Sequence, residues 1–184
     1  FTNATWPRPT GTVSTISRSY PLLDGFNVKV EVQNPDNKLY RGYPRSSTQK
    51  SLRETRRGGG VVKTIVSFDK DNVGSIAAST FFEIYDIDRI GVRLDDVQII
   101  GYCGGVPVNP VLSYADSRPL RSKYTIISAN QAKAKSRGVA YNGATGYTNK
   151  LGRLYVDFEY PVERIEIIYT TDPNNQTGIK YLGI

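Results

Sequence analysis

Four carboxylates, Asp86, Asp88, Asp95 and Asp96, crowd a short stretch that also holds Arg89 and Arg93. Ca2+ takes about six to eight oxygen ligands, and acids at i and i+2 on a strand point to one face. Asp86 and Asp88 could therefore converge with Asp95 and Asp96, across a loop, as a metal site. Alternatively, Asp86 or Asp88 caps the loop through backbone N–H groups, or pairs with Arg89 or Arg93, which already neutralise part of the cluster. Asp69-Lys70-Asp71-Asn72 imitates the opening of an EF-hand loop, but the required Gly and later Glu are missing, so it reads as a turn. Two carboxylates could also hydrolyse a glycosidic bond, one as acid and the other as base or nucleophile about 5 to 9.5 Å away. Nothing in the spacing singles out such a pair, and no cofactor other than Ca2+ is implied.

The rest of the usual catalytic repertoire is missing. The chain has no His and a single Cys, Cys103, so neither Ser-His-Asp nor Cys-His machinery can be built, nor a zinc site of the ordinary His and Cys kind. One Cys makes no intramolecular disulfide, and the expectation is a buried small hydrophobe, with an intermolecular link as the less frequent alternative.

These side chains must be positioned by strands. Phe26, Val28, Val30 and Val32 alternate with Asn27, Lys29, Glu31 and Gln33, the pattern of a strand with one wet face. Leu154, Val156, Phe158 and Tyr160 alternate in the same way and are followed, after Pro161, by Ile165, Ile167 and Tyr169; these two runs are expected to pair across a short turn. Further candidates are Val61 to Phe68, Thr80 to Ile87, Val97 to Tyr102, Lys123 to Ile127 and Gly178 to Leu182. Helix signal is confined to Ser128 to Arg137, whose good helix formers precede Gly138 and whose only apolar residues are alanines; a short surface helix or a loop is expected. The fold class is all-β, a two-sheet antiparallel β-sandwich of jelly-roll or immunoglobulin-like type with little helix. At 184 residues, 39% hydrophobic, the chain suits one domain over 1–184, with an N-terminal arm at 1–20 and an excursion at 38–60 that has few large apolar residues. No apolar run approaches the ~20 residues of a membrane-spanning helix. A chain that starts at Phe1 and contains no Met reads as processed or cut from something longer, and either fits export.

The most distinctive stretch runs from Phe81-Phe82-Glu83-Ile84-Tyr85-Asp86-Ile87-Asp88-Arg89 through Asp95-Asp96-Val97-Gln98-Ile99-Ile100-Gly101-Tyr102 to Gly104-Gly105-Val106-Pro107-Val108-Asn109-Pro110. It resembles the secreted β-sandwich modules of large bacterial surface and adhesin-type proteins, with their D-I-D-R element, a D-x-V-x-I-x-G strand and a G-x-P-V-x-P turn. Those modules close with P-V-x-x-I-x-I-x-Y, matched here by Pro161-Val162-Glu163-Arg164-Ile165-Glu166-Ile167-Ile168-Tyr169. The resemblance covers about residues 60 to 184 and leaves the 38–60 excursion unexplained. It implies an extracellular, cell-surface protein with a structural or adhesive rather than enzymatic role.

Charge suggests the partners. The net charge is +7, yet Lys38 to Gly60 carries seven basic residues against Glu54, and Ser117 to Arg153 carries eight and no acid, which leaves the remainder at −7. Such a division suits a homopolymer, a filament or surface layer in which basic loops meet the acidic remainder of the next copy. Phe1, Trp6, Arg41, Arg45, Arg53, Arg56 and Arg57 are the expected interface residues. Polyanionic or glycan surfaces are the next partners, as for a lectin-like module, with a carboxylate glycosidase as the third possibility. The basic loops interleave with Tyr40, Tyr43, Tyr124, Tyr141 and Tyr147, but no dedicated RNA-binding motif accompanies them, so nucleic acid is disfavoured. Asn3-Ala4-Thr5 and Asn175-Gln176-Thr177 fit the glycosylation sequon, which matters only in a eukaryotic secretory pathway, and Asn142-Gly143 is a hairpin-turn signal.

Overall fold

The alternating runs become strands, and because each is apolar on one side only, they can be covered only by stacking. A computed structural model describes residues 15–33, 45–46, 52–57, 60–71, 74–90, 93–135, 149–171 and 179–183. In chain order the strands are β1 (Thr15–Pro21), β2 (Phe26–Gln33), β3 (Arg45–Ser46), β4 (Leu52–Arg57), β5 (Gly60–Lys70), β6 (Ala78–Ile84), β7 (Arg89–Ile90), β8 (Arg93–Cys103), β9 (Val106–Val108), β10 (Val111–Tyr114), β11 (Tyr124–Ser128), β12 (Gln131–Ala134), β13 (Leu154–Val162), β14 (Arg164–Thr171) and β15 (Ile179–Gly183). The helical elements among the described residues are three-residue 3-10 turns. No helix there is long and apolar enough to cross a membrane.

The large sheet runs β1-β2-β5-β14-β8-β12-β11, with β7 and β9 also paired to β8, and a three-stranded sheet β10-β13-β6 lies over it. The strand pairings are antiparallel. β4, β3 and β15 form a further short sheet. The sandwich is thus all-β, as expected. Its core sets Ile84, Leu154, Val156 and Phe158 of the small sheet against Val97, Ile99, Ile165, Ile167 and Tyr169 of the large one, each aliphatic contributing roughly 1.5–3 kcal/mol by burial. A second cluster, Ile16, Val30, Val32 and Val62, fills the β1-β2-β5 side.

Three expectations need correcting. The runs at 154–160 and 165–169 do not pair with each other: β13 lies between β10 and β6, whereas β14 lies between β5 and β8. Alternation reports which face of a strand is apolar but not its neighbour, and placing the two runs in facing sheets lets each cover the other. The chain changes sheet at Glu163, whose N–H donates to the Tyr102 carbonyl at 2.8 Å. The Ser128 to Arg137 stretch is neither helix nor surface loop as far as Ala134: it is the tip and second strand of the β11-β12 hairpin. Ala132 and Ala134 are buried while Lys133 is exposed, so two small side chains face inward where β12 pairs with β8, and packing overrides helix propensity. Cys103 is exposed, because it ends β8 at the turn into β9. There Gly104 and Gly105 both adopt positive φ, 55° and 79°, which a tight two-residue hairpin turn requires.

At Gly101, which pairs with both β14 and β9, the small sheet packs directly on the backbone of β8. A Cβ there would stand 2.4 Å from Phe158 Cε1 and 2.9 Å from Val162 Cγ1. Gly101→Ala is expected to destabilise the protein by about 1–3 kcal/mol through overpacking, lowering Tm by about 2–4 °C per kcal/mol for a chain of this size. Phe158→Leu in the same chain should recover part of that loss; urea unfolding of the two single variants and the double variant checks it.

Candidate functional site

The aspartates stand where β6 hands the chain over to β8. They do not share one face, because regular strand geometry ends at Ile84 and Asp86 takes a left-handed φ of 69°. Asp88 and Asp95 are buried. The Asp95 carboxylate accepts from the Tyr169 hydroxyl at 2.5 Å through Oδ1 and from the Asp88 backbone N–H at 3.0 Å through Oδ2, and its own N–H donates to the Asp88 carbonyl at 3.2 Å. Asp96 points the other way, as its neighbour on a strand must. It accepts from Gln131 Nε2 at 2.6 Å and lies 3.5 Å from Lys133 Nζ, both on β12. Among the described residues no three carboxylate, thiol or imidazole side chains converge as metal ligands. In this geometry Asp95 acts as a clasp between β8, β14 and the chain leaving β6, and Asp96 belongs to an outward-facing ion pair. Of the Asp69-Lys70-Asp71-Asn72 run, Asn72 lies outside the described residues; Lys70 ends β5 and Asp71 has φ 53°, with its N–H bonded to the Gly25 carbonyl at 2.8 Å.

A different set of side chains is brought together on the outer face of the three-stranded sheet. Strand register places Phe81 opposite Asp157, and Tyr155 opposite both Glu83 and Ser113. Diagonal neighbours then meet: the Phe81 and Tyr155 rings lie 5.8 Å apart at 51°. Phe81 is 61% exposed, and Val111, opposite Asp157 on the other edge strand, is 47% exposed. At the far end of the row Arg153 bonds Glu83, with Nη1 3.2 Å from Oε2, and its guanidinium lies 5.6 Å from the centre of the Tyr85 ring. Burial, and then the Glu83 charge, push the Tyr85 hydroxyl above its ordinary range despite Arg153. Asp157 and Glu159 are exposed beside the aromatic rings. The result is a sheet face that offers ring surface, carboxylate acceptors and a guanidinium donor in one plane. Its two main halves, 81–85 and 153–159, lie 68 or more residues apart in sequence and only the β13-β6 register joins them, with Val111 added by β10-β13; the exposed aromatic at Phe81, out of phase with the inward Phe82 and Ile84, was the one signal available in the chain itself.

Of the expected interface residues, Phe1, Trp6 and Arg41 lie outside the described residues. Arg45 falls on β3 and Arg53, Arg56 and Arg57 on β4, where the backbone alone is described. Tyr40, Tyr43, Tyr141, Tyr147, both sequons and Asn142-Gly143 also lie outside. Tyr124 is no surface ligand: it is fully buried, stacks on Tyr114 at 5.2 Å and donates to the Arg153 carbonyl at 2.6 Å. In the second basic segment, Pro119–Arg121 forms a 3-10 turn that leaves Leu120 93% exposed between Arg118 and Arg121. Lys135 Nζ donates to the Leu120 carbonyl at 3.1 Å, and Asp116 accepts from the Arg118 N–H at 2.8 Å.

Neither a family model nor a curated protein matches the chain. Among solved structures, the N-terminal domain of the Streptococcus gordonii adhesin Sgo0707 is similar, with a TM-score of 0.44 and 10% identity, over 92% of this chain and 46% of that one. The chain therefore spans a little under half the length of that structure.

Two outcomes follow from this geometry. Asp95→Ala removes an acceptor from two buried donors and is expected to cost about 1–3 kcal/mol for each, whereas millimolar Ca2+ and a chelator should give the wild type one melting temperature; a rise with Ca2+ that Asp95→Ala abolishes would restore the metal site. Burial also raises the Tyr124 pKa above its ordinary 10.0. The neutral hydroxyl therefore stabilises the fold fully below pH 10, and that contribution is lost as pH climbs through the folded-state value. Tyr124→Phe should lower stability at pH 7 by about 1 kcal/mol and flatten the decline above pH 10, measured by urea unfolding across pH.

Proposed function

We propose that the chain is a non-enzymatic adhesive module of an extracellular, cell-surface protein, working as a subunit of a homopolymeric filament or layer. The adhesive part rests on one observation, the exposed outer face of the small sheet, where Phe81 and Tyr155 lie in line with the Glu83–Arg153 pair. An exposed Phe81 tilted against a half-buried Tyr155, with Val111 exposed across the sheet, is apolar surface of the kind used for recognition. The buried acids Asp95 and Glu166 serve structural roles instead: Asp95 ties elements together and Glu166 sits between Lys63 at 3.3 Å and Arg164 at 3.5 Å. The subunit part rests on the division of charge between two basic segments and an acidic remainder.

A glycan is the ligand this face favours over an apolar peptide. Sugar rings stack their C–H faces on aromatic side chains and donate hydroxyl hydrogens to carboxylates, and Asp157 and Glu159 stand beside the rings. Phe81→Ala combined with Tyr155→Ala is expected to weaken binding to the best ligand of a glycan array at least tenfold while leaving Tm within a few degrees, since surface changes cost little stability. Unchanged binding to cells and to the array would contradict the assignment of this face.

A further inference from the structure

The acids on the outer faces of the two sheets differ in what stands beside them. On the large sheet Glu31 lies 3.8 Å from Lys29, Asp96 3.5 Å from Lys133, and Glu166 3.3 Å from Lys63 and 3.5 Å from Arg164. Asp69 there accepts from Asn27 Nδ2 at 2.9 Å. On the small sheet Glu83 is matched by Arg153, whose guanidinium also lies over the Tyr85 ring, so that cation is already engaged. Asp157 has no such neighbour. It stands on the middle strand between Phe81 of β6 and Val111 of β10. An opposite charge across the strand pair would stabilise an acid in that position, yet an apolar side chain occupies either side. Glu159 follows two residues on, and both acids are exposed. Among the described residues no ion pair or side-chain hydrogen bond reaches either carboxylate. The face therefore carries two open negative charges on ring and methyl surface, in a chain whose net charge is +7.

We propose that the ligand of this face is an amino sugar whose nitrogen is unacylated and protonated, its ring lying against Phe81 and its ammonium beside Asp157. The proposal rests on the glycan reading above and names the sugar class. Charge complementarity selects it. Two open carboxylates attract a cation and repel carboxylated or sulfated sugars, and Arg153, the guanidinium that could hold an anion, is engaged by Glu83. The rings act in the same direction, because an aromatic face attracts a cation as well as C–H groups. Residues directly opposite on neighbouring strands have Cβ atoms about 4.5–5.5 Å apart, which brings Asp157 within reach of a substituent on a ring that covers Phe81. A lysine side chain carries the same ammonium, but at the end of a flexible stem whose rotamer freedom is lost on binding. In an amino sugar the nitrogen is attached to a rigid ring, so the ring contact and the ion pair form together. An exposed ion pair and an exposed cation–π contact together raise affinity roughly three- to thirtyfold. Glu159, about 7 Å further along the strand, offers a second carboxylate to the next sugar of a chain.

Paired titrations on the full chain test this. Two oligosaccharides of equal length and linkage, one of glucosamine and one of N-acetylglucosamine, are compared at about pH 5.5, where the sugar amine is protonated and exposed carboxylates are ionised. At about 50 mM salt the glucosamine oligomer is expected to bind about tenfold more tightly, and about 300 mM salt should remove most of that margin. Asp157→Asn with Glu159→Gln should erase the difference between the two sugars while keeping the weaker binding they share. Phe81→Ala with Tyr155→Ala should weaken both. Melting curves on every variant separate a lost site from a lost fold, and the near-isosteric amide pair is the variant that keeps the fold. Equal binding of the two oligomers, or tighter binding of the acetylated one, overturns the amino-sugar assignment; if that binding still needs Phe81 and Tyr155, the glycan reading stands. Tetralysine that binds more tightly than the glucosamine oligomer, and loses this with the amide pair, overturns the assignment in favour of a cationic peptide. If no sugar on a glycan array depends on the two rings, the glycan reading and this proposal fall together.

Discussion

The buried carboxylate of Asp95 is the constraint on which the rest of the arrangement depends. It belongs to β8 in the large sheet, yet it accepts from the backbone of Asp88, on the chain that has just left the small sheet, and from Tyr169 on β14. A buried carboxylate has to be hydrogen-bonded, so these donors cannot drift without a large penalty, and the segment that links the two sheets is held at one end of the sandwich. At the other end the chain crosses back at Glu163, and Gly101 admits Phe158 against the large sheet. Between those two ties the inward stripes of β6, β13, β14 and β8 close into one core.

Fixing the sheets in this way separates the surface into regions with different chemistry. The outer face of the small sheet carries ring surface with acids and a guanidinium. The outer face of the large sheet is a field of internally satisfied pairs: Lys63 and Arg164 on Glu166, Lys133 on Asp96, and Arg164 stacked 4.2 Å from the Tyr102 ring. Glu166 is buried between its two partners, whereas the Lys133–Asp96 pair is the more exposed kind that contributes little stability.

Much of this was legible in the chain, for reasons that also set the limit. A wet-faced strand shows its period of two, so β2 was readable at its observed bounds of Phe26–Gln33. The same period says nothing about partners, and so the runs in β13 and β14 looked like a hairpin until their registers placed them in different sheets. β12 was hidden because its inward residues are alanines, too small to give a hydrophobic stripe against lysines that also favour helix. Carboxylate density around Asp86 to Asp96 suggested a metal because sequence shows charge but not the amide and hydroxyl donors that hold Asp95. The two basic segments were visible from composition alone, whereas the meeting of Phe81 with Tyr155 follows only from the β13-β6 register.

The central claim, proposed above, is that a clasped sandwich offers the outer face of its small sheet to a ligand while copies of the chain join into a filament or layer. Electron cryomicroscopy of native material at low salt tests it most directly. Filaments or layers of like subunits are predicted, with the outer face of the small sheet open to solvent. Closed dimers joined through the small-sheet face, or isolated monomers only, would contradict it.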